Sequence, residues 1–179
     1  WSSMEYFEGK ARGEISVPWV TPVFDRTQDD VDEAIQTLAE WRSLAEPGVL
    51  IETSDLKGCF SYTDLNRIEG NLEYLQEVAN RIRPGPPLAT PTKTDWTQND
   101  IPTTADLRRI IQGIAALEER VHKSGAVVLP STILTYQDAN AVEEALAWCD
   151  SHLERIGTWL RASDFTWGDM RSLTWGNLS

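Results

Sequence analysis

One pattern recurs four times along this chain, and it restricts the fold more than any other feature. A Thr or Ser is followed three residues later by Asp, and an apolar series then begins. Thr27, Ser61, Thr103 and Thr135 hold the first position, and Asp30, Asp64, Asp106 and Asp138 the second. A hydroxyl placed there accepts from backbone N–H groups that lack a partner in the first turn of a helix. The Asp reaches back in the manner of a capping box. At 4, 7, 11, 14 and 18 residues beyond the cap, the first segment has Val31, Ala34, Leu38, Trp41 and Ala45. The second has Leu65, Ile68, Leu72, Leu75 and Ala79. The third has Leu107, Ile110, Ile114, Leu117 and Val121. The fourth has Ala139, Val142, Leu146, Cys149 and Leu153, and continues through Ile156 and Leu160. Steps of three and four put each set on one face of an α-helix. No charged or amide residue enters these positions, although 25% of the chain is charged. The sequence therefore predicts a mainly α fold with four amphipathic, capped helices, and Phe60 and Leu65 are spaced for a hydrophobic staple on the second.

The caps stand 34, 42 and 32 residues apart. The long interval holds Arg83-Pro84-Gly85-Pro86-Pro87, which cannot continue a helix. The expected organisation is an extended N-terminal arm (1–26), a first helical hairpin (27–83), a stiff Pro-rich linker (84–102), a second helical hairpin (103–162) and an aromatic C-terminal tail (163–179). Asp25-Arg-Thr-Gln-Asp-Asp-Val also matches Asp95-Trp-Thr-Gln-Asn-Asp-Ile. That match supports duplication of a unit and offers Thr97 as a rival cap for the third helix. Thr103 is preferred, because Pro102 would break a helix begun at Thr97.

Between these elements, Glu14-Ile-Ser-Val-Pro-Trp-Val-Thr-Pro reads as extended chain, placed either on another subunit or over its own helices. Val49-Leu50-Ile51 is expected to plug the end of the first hairpin, and Trp96 to anchor the linker. Ala126-Val-Val-Leu-Pro is expected to be buried. At 179 residues the chain can bury about 70% of its unfolded surface. A net charge of −12 argues against nucleic acid as a partner, since phosphates call for a basic face. No window is apolar enough for membrane insertion. Two cysteines make no disulfide framework, and Cys149 lies on the fourth apolar stripe. A chain that starts at Trp1 reads as processed, trimmed or part of something longer, without a signal-peptide pattern.

The sequence offers no nucleotide-binding, zinc-protease, serine-hydrolase or Cys-x-x-Cys signature. His122 and His152 are expected near helix ends, interacting with the carbonyl end of the dipole. Asp29-Asp30-x-Asp32 lacks the Gly and distal Glu of a calcium loop. Glu69/Glu73 and Glu143/Glu144 could serve as paired acid and base, but as helix-surface carboxylates they are expected to be solvated. Asn177-Leu-Ser is a formal glycosylation triplet without further support. No catalytic, cofactor-binding or metal-ligating residue is assigned. Trp41 and Trp148 are expected in the core. Trp19, Trp159, Phe165, Trp167 and Trp175 are the candidate partner-binding residues, because exposed aromatic side chains are enriched at interface cores and can also stack on sugars.

Thr21-Pro-Val-Phe-Asp-Arg-Thr-Gln-Asp-Asp-Val-Asp-Glu-Ala-Ile, Ser61-Tyr-Thr-Asp-Leu-Asn-Arg-Ile-Glu-Gly-Asn-Leu-Glu-Tyr-Leu and Pro91-Thr-Lys-Thr-Asp-Trp-Thr resemble segments of tail-associated structural proteins of phages and prophages of Gram-positive bacteria. The resemblance runs from residue 21 to about residue 115, and the second half of the chain shares less of it. It implies a non-enzymatic part of a tail, baseplate or fibre, acting as a connector or adaptor. Such a protein is assembled in the host cytoplasm, resides in the virion, forms homo-oligomers and contacts other tail or baseplate proteins. A carbohydrate-binding module that recognises host-envelope glycans is the alternative.

Overall fold

Each predicted cap starts a helix. In the computed structural model, which describes residues 15, 17–82, 85–121 and 125–162 (side chains to 156), the helices are α1 (Gln28–Leu44), α2 (Tyr62–Ile82), α3 (Thr104–Val121) and α4 (Tyr136–Ala162). Thr27 N–H donates to the Asp30 carboxylate at 2.7 Å, while Asp30 N–H donates to Thr27 Oγ1 at 3.3 Å. Thr103/Asp106 and Thr135/Asp138 repeat both bonds. At Ser61 the backbone N–H donates to Asp64 at 2.8 Å. Each cap stabilises its helix by about 1 kcal/mol. Thr97 and Asp100 form the same local turn, with Thr97 N–H donating at 2.7 Å. Ile101-Pro102 follows it, and α3 begins only after Thr103. Both readings of that stretch are therefore realised, one as a turn and one as a helix cap.

The mainly helical class with four helices holds, and the described residues contain no strand. The expected hairpins do not form. Arg109 and Glu69, near the starts of α3 and α2, pair at 2.7 Å. Arg67 and Glu143, near the starts of α2 and α4, pair at 2.6 Å. At the other end, Leu88 is held by Asn80 late in α2, and the Pro86 carbonyl accepts from Arg120 late in α3. The helices α2, α3 and α4 therefore run parallel, and the chain returns between α2 and α3 in extended form. Close helix packing occurs among these three.

Their apolar stripes meet as the sequence predicts. Ile68, Leu72, Leu75, Ile110, Ile114, Leu117, Val142 and Leu146 are completely buried, and Cys149 is buried and reduced beside them. Gly113 permits the closest approach, since a Cβ there would lie 2.8 Å from Thr90 Cγ2 and 2.9 Å from Leu72 Cδ2.

The extended connector is a structural member rather than a spacer. Asn80 receives Leu88 N–H at 2.8 Å and donates to the Leu88 carbonyl at 2.9 Å. Gln76 treats Thr90 in the same way, as does Asn66 with Trp96. Each side-chain amide thus replaces the partner that an adjacent β-strand would supply, which satisfies backbone groups lying on the core. From Asn66 to Asn80 the helix rises about 21 Å, which matches the reach of eight extended residues, about 26 Å with slight curvature. The arm uses the same device in the groove between α2 and α4, where Asn71 brackets Val20 and Asn140 brackets Arg26. Residues 17–26 are therefore draped over helices of their own chain.

The first helix differs from the other three. It is tethered at its first turn, where Asp30 and Val31 press on Gly58 so closely that a Cβ there would sit 2.0 Å from the Asp30 carbonyl oxygen. Beyond that, only Ala34 of its stripe is buried. Trp41, expected in the core, is exposed, and so are Val49 and Leu50, expected to plug a hairpin end. The reason is shared by all three: among the described residues, no helix packs closely along the far half of α1. The stretch after α3 alternates instead of being wholly buried, with Val127 and Leu129 on the core and Val128 in solvent.

Candidate interaction surface

Two buried carboxylates hold the extended segments, and their positions correspond. Glu69 stands eight residues after the cap of α2, and Glu143 eight after the cap of α4; Asn66 and Asn140 stand five after the same caps. Glu69 accepts from Arg109 at 2.7 and 2.9 Å, from Trp96 Nε1 at 2.9 Å and from Lys93 N–H at 2.6 Å. Glu143 accepts from Arg67 at 2.6 and 2.8 Å, from Arg26 at 3.0 Å and from Val23 N–H at 2.6 Å. Arg26 and Arg67 also share Asp64, at 2.8 and 2.5 Å. Both Glu side chains have no solvent exposure. For Glu69 and Glu143 this corrects the expectation of a solvated helix-surface carboxylate, because an extended segment and an arginine from a neighbouring helix cover each one, whereas Glu144 is exposed as expected.

Burial works against the charge on Arg67, but Glu143 and Asp64 more than offset it and raise its proton affinity above the ordinary guanidinium value. For Arg109 the hydrogen bonds it donates to Glu69 are the main cause of a rise. These carboxylates are fully occupied by donors, and the arrangement fixes segments in place. The clue lay in the sequence as Asn-x-x-Glu at one offset in two capped helices, together with the matched Asp-Arg/Trp-Thr-Gln segments.

The remaining titratable groups do local work. Burial pushes the Glu118 carboxyl up to about 7, and burial likewise raises the Cys149 thiol above its usual range. His152 lies mid-helix rather than near an end, because α4 runs on to Ala162. One ring nitrogen lies 2.8 Å from the Trp148 carbonyl, and the ring stands 4.2 Å from the Trp148 ring. His122 and Asn177 fall outside the described residues. Among the described residues no group of His, Cys, Asp and Glu is arranged for a metal, and no helix is long and apolar enough to cross a membrane.

Of the five candidate aromatic contacts, Trp19 is half-buried, with its ring centroid 5.7 Å from that of Tyr74 on α2. Phe165, Trp167 and Trp175 fall outside the described residues, as does the side chain of Trp159. Trp96 is the buried anchor that the sequence predicts.

The accessible apolar surface lies elsewhere. Two clefts flank Phe60 near the capped helix ends. One, of about 400 Å³, is lined by Val31, Ile133, Leu134 and Tyr136 among others, and the second, of about 200 Å³, by Leu50, Ile51 and Tyr62. Along α1 and the turn after it, Ile35 is 62% exposed, Trp41 37%, Leu44 85%, and Val49 and Leu50 59% each. Trp41 and Leu44 stand one turn apart near the helix end, whereas Ile35 lies on the opposite side of the helix from Leu44; adjoining exposed apolar side chains such as the former pair mark contact sites. Sequence reasoning placed Trp41 in the core and Val49 and Leu50 at a hairpin end, and it gave no role to Ile35 and Leu44, which lie off the stripe. No family model, curated protein or solved structure matches the chain.

Proposed function

We propose that this chain is a non-enzymatic structural component of a phage or phage-like tail, baseplate or fibre, working as a connector through protein–protein contacts. The observation that carries the reading is α1, a fully capped helix tied down at one end, with Trp41 and Leu44 turned to solvent. Most of the stability of a helix in a protein comes from packing its apolar face rather than from propensity, and a large apolar side chain left in solvent forgoes about 1.5–3 kcal/mol of burial. Binding a partner recovers that term. Behind α1, the bracketed three-helix core supplies a stiff mount, which suits a part that transmits position between neighbours.

The test is quantitative mass spectrometry of purified particles from a phage or induced prophage that encodes the chain. A fixed ratio to other tail proteins, retained through density-gradient purification, supports the proposal. Particles of full infectivity that lack the chain refute it.

A further inference from the structure

We infer that the larger cleft beside Phe60 binds a short apolar segment of another protein's chain, which presents a backbone carbonyl to Arg26. The inference rests on the reading of the chain as a contact protein and specifies where and what it contacts. Two observations carry it. The first is Arg26, which is 5% exposed and forms part of the wall of this cleft. Its terminal nitrogens donate to the Val23 carbonyl, Asn140, Asp64 and Glu143. Its Nε–H is buried and has no partner. Buried donors in folded proteins nearly always have an acceptor, so one left over in a cleft wall marks a place where an acceptor belongs. That acceptor is neutral. Arg26 and Arg67 already face Asp64 and Glu143, and a further carboxylate would add an uncompensated negative charge in a region nearly closed to water. A peptide carbonyl meets the requirement.

The second observation is that the two clefts are equivalent. Each lies at the start of a capped helix and is built from matching positions: Tyr62 and Tyr136 one residue after the cap, Leu65 and Ala139 four after it, and Gln98 and Gln28 from the shared Asp-x-Thr-Gln motif. In the smaller cleft, Leu50, Ile51 and Thr53 of the chain's own connector supply part of the wall. Among the described residues, the connector before α4 brings only Ile133 and Leu134 to the larger cleft, together with the cap Thr135. The larger cleft measures about 400 Å³ and the smaller about 200 Å³. The place that Leu50 and Ile51 take in one cleft is therefore open in the other, and it fits an apolar segment of the same kind. A mostly apolar hollow of this size with a few polar groups is the usual form of a binding site. A second copy is the poorer occupant, because its own Leu50 and Ile51 already line its smaller cleft and both copies carry −12.

The experiment titrates the full chain, labelled with nitrogen-15, with a capped peptide of the sequence Val49-Leu-Ile-Glu-Thr, and with the same peptide carrying Ser for Leu and Ile. Nuclear magnetic resonance reads the site and the affinity, and light scattering reads self-association. We expect saturable binding of the apolar peptide with a Kd below about 1 mM. The amides of Leu134 and Tyr136 should shift, and the Arg26 Nε–H resonance should move downfield as it gains an acceptor. Ala139→Leu fills the cleft as Leu65 does in its counterpart, and Leu134→Glu sets a charge at its rim; each should weaken binding at least about tenfold. Leu134 is 82% exposed, so Leu134→Glu carries the test if Ala139→Leu disturbs the fold. Ile101→Glu, at a position 86% exposed and outside both cleft walls, should leave binding unchanged. Any of these would overturn the inference: no saturable binding, equal binding of the Ser peptide, an unmoved Arg26 Nε–H, indifference to Leu134→Glu, or a dimer of the chain that Leu134→Glu dissolves. If the chain is absent from particles but the peptide results stand, the tail assignment falls and the cleft assignment survives. A chain present in particles whose cleft ignores the peptide gives the reverse.

Discussion

Replacing Glu143 by Gln removes one charge at the point where the arm, α2 and α4 meet, and leaves the shape of the side chain intact. The side chain of Glu143 is 0% exposed, that of Arg26 3% and that of Arg67 14%. After the change, two guanidinium groups face Asp64 alone, so one positive charge is left without compensation in a region nearly closed to water. Breaking a buried ion pair from one side costs about 3–5 kcal/mol. The lower figure applies, because Asp64 remains and Arg67 retains some access to solvent. The amide introduced by Glu143→Gln can still accept from Val23 N–H, so the loss reports charge more than hydrogen bonding. About 3 kcal/mol corresponds to a fall in Tm of about 6–12 °C for a chain of this size. Urea unfolding followed by circular dichroism gives the free energy, and calorimetry gives the Tm. Glu144→Gln is the control: that side chain is exposed, and its change should stay within about 0.5 kcal/mol. A Glu143→Gln protein within about 1 kcal/mol of the parent, well below the cost of an uncompensated buried charge, would refute the view that these carboxylates lock the arm in place.

Trp96→Ala should cost about 3–5 kcal/mol in the same unfolding assay, whereas Trp41→Ala should stay within about 0.5 kcal/mol. Reversed magnitudes would mean that α1 lies in the core. Gly58→Ala drives a methyl group into the Asp30 carbonyl and should destabilise by about 1–3 kcal/mol, with new protease cleavage in residues 45–60 as the second readout. For pH, the folded protein holds the Glu118 proton more tightly than the unfolded chain, since burial lifts the carboxyl from 4.5 to about 7. Glu118 therefore favours the fold most fully below about pH 4.5 and loses that contribution as pH rises through about 7. The Tm advantage of Glu118→Gln over the parent should accordingly grow from about pH 4.5 to about pH 8, and an advantage that shrinks over this range would contradict the assignment. The capping carboxylates Asp30, Asp106 and Asp138 are held below their usual range and act with the opposite sign, losing their contribution as pH falls.

The local grammar of the chain is readable from its sequence, and its long-range geometry is not. Thr27, Ser61, Thr103 and Thr135 act on N–H groups within three residues, so sequence alone suffices to place them. The stripe positions of α2, α3 and α4 are equally legible, because burial follows helical periodicity wherever a neighbour exists. Helix direction is not encoded in any stripe, since Leu65, Ile68 and Leu72 would fit an antiparallel partner as well as a parallel one. Parallel packing depends on what the connector does, and that depends on Asn66, Glu69, Gln76 and Asn80 recognising its backbone. Polar residues on a helix read as solvent-facing until the segment that covers them is known. For α1 the difficulty is different: Val31, Ala34, Leu38 and Trp41 specify a face that needs covering, but no sequence pattern states which molecule supplies the cover.

Hydrogen exchange along α1, compared between the isolated chain and the chain assembled in particles, addresses this most directly. In the isolated chain, amides from Ile35 to Leu44 should exchange far faster than those of Leu72, Ile114 and Leu146, and in particles they should slow by at least about tenfold. Equal exchange in both states, or protection of α1 matching that of α3 in the isolated chain, would contradict the claim that this helix is kept open for a partner.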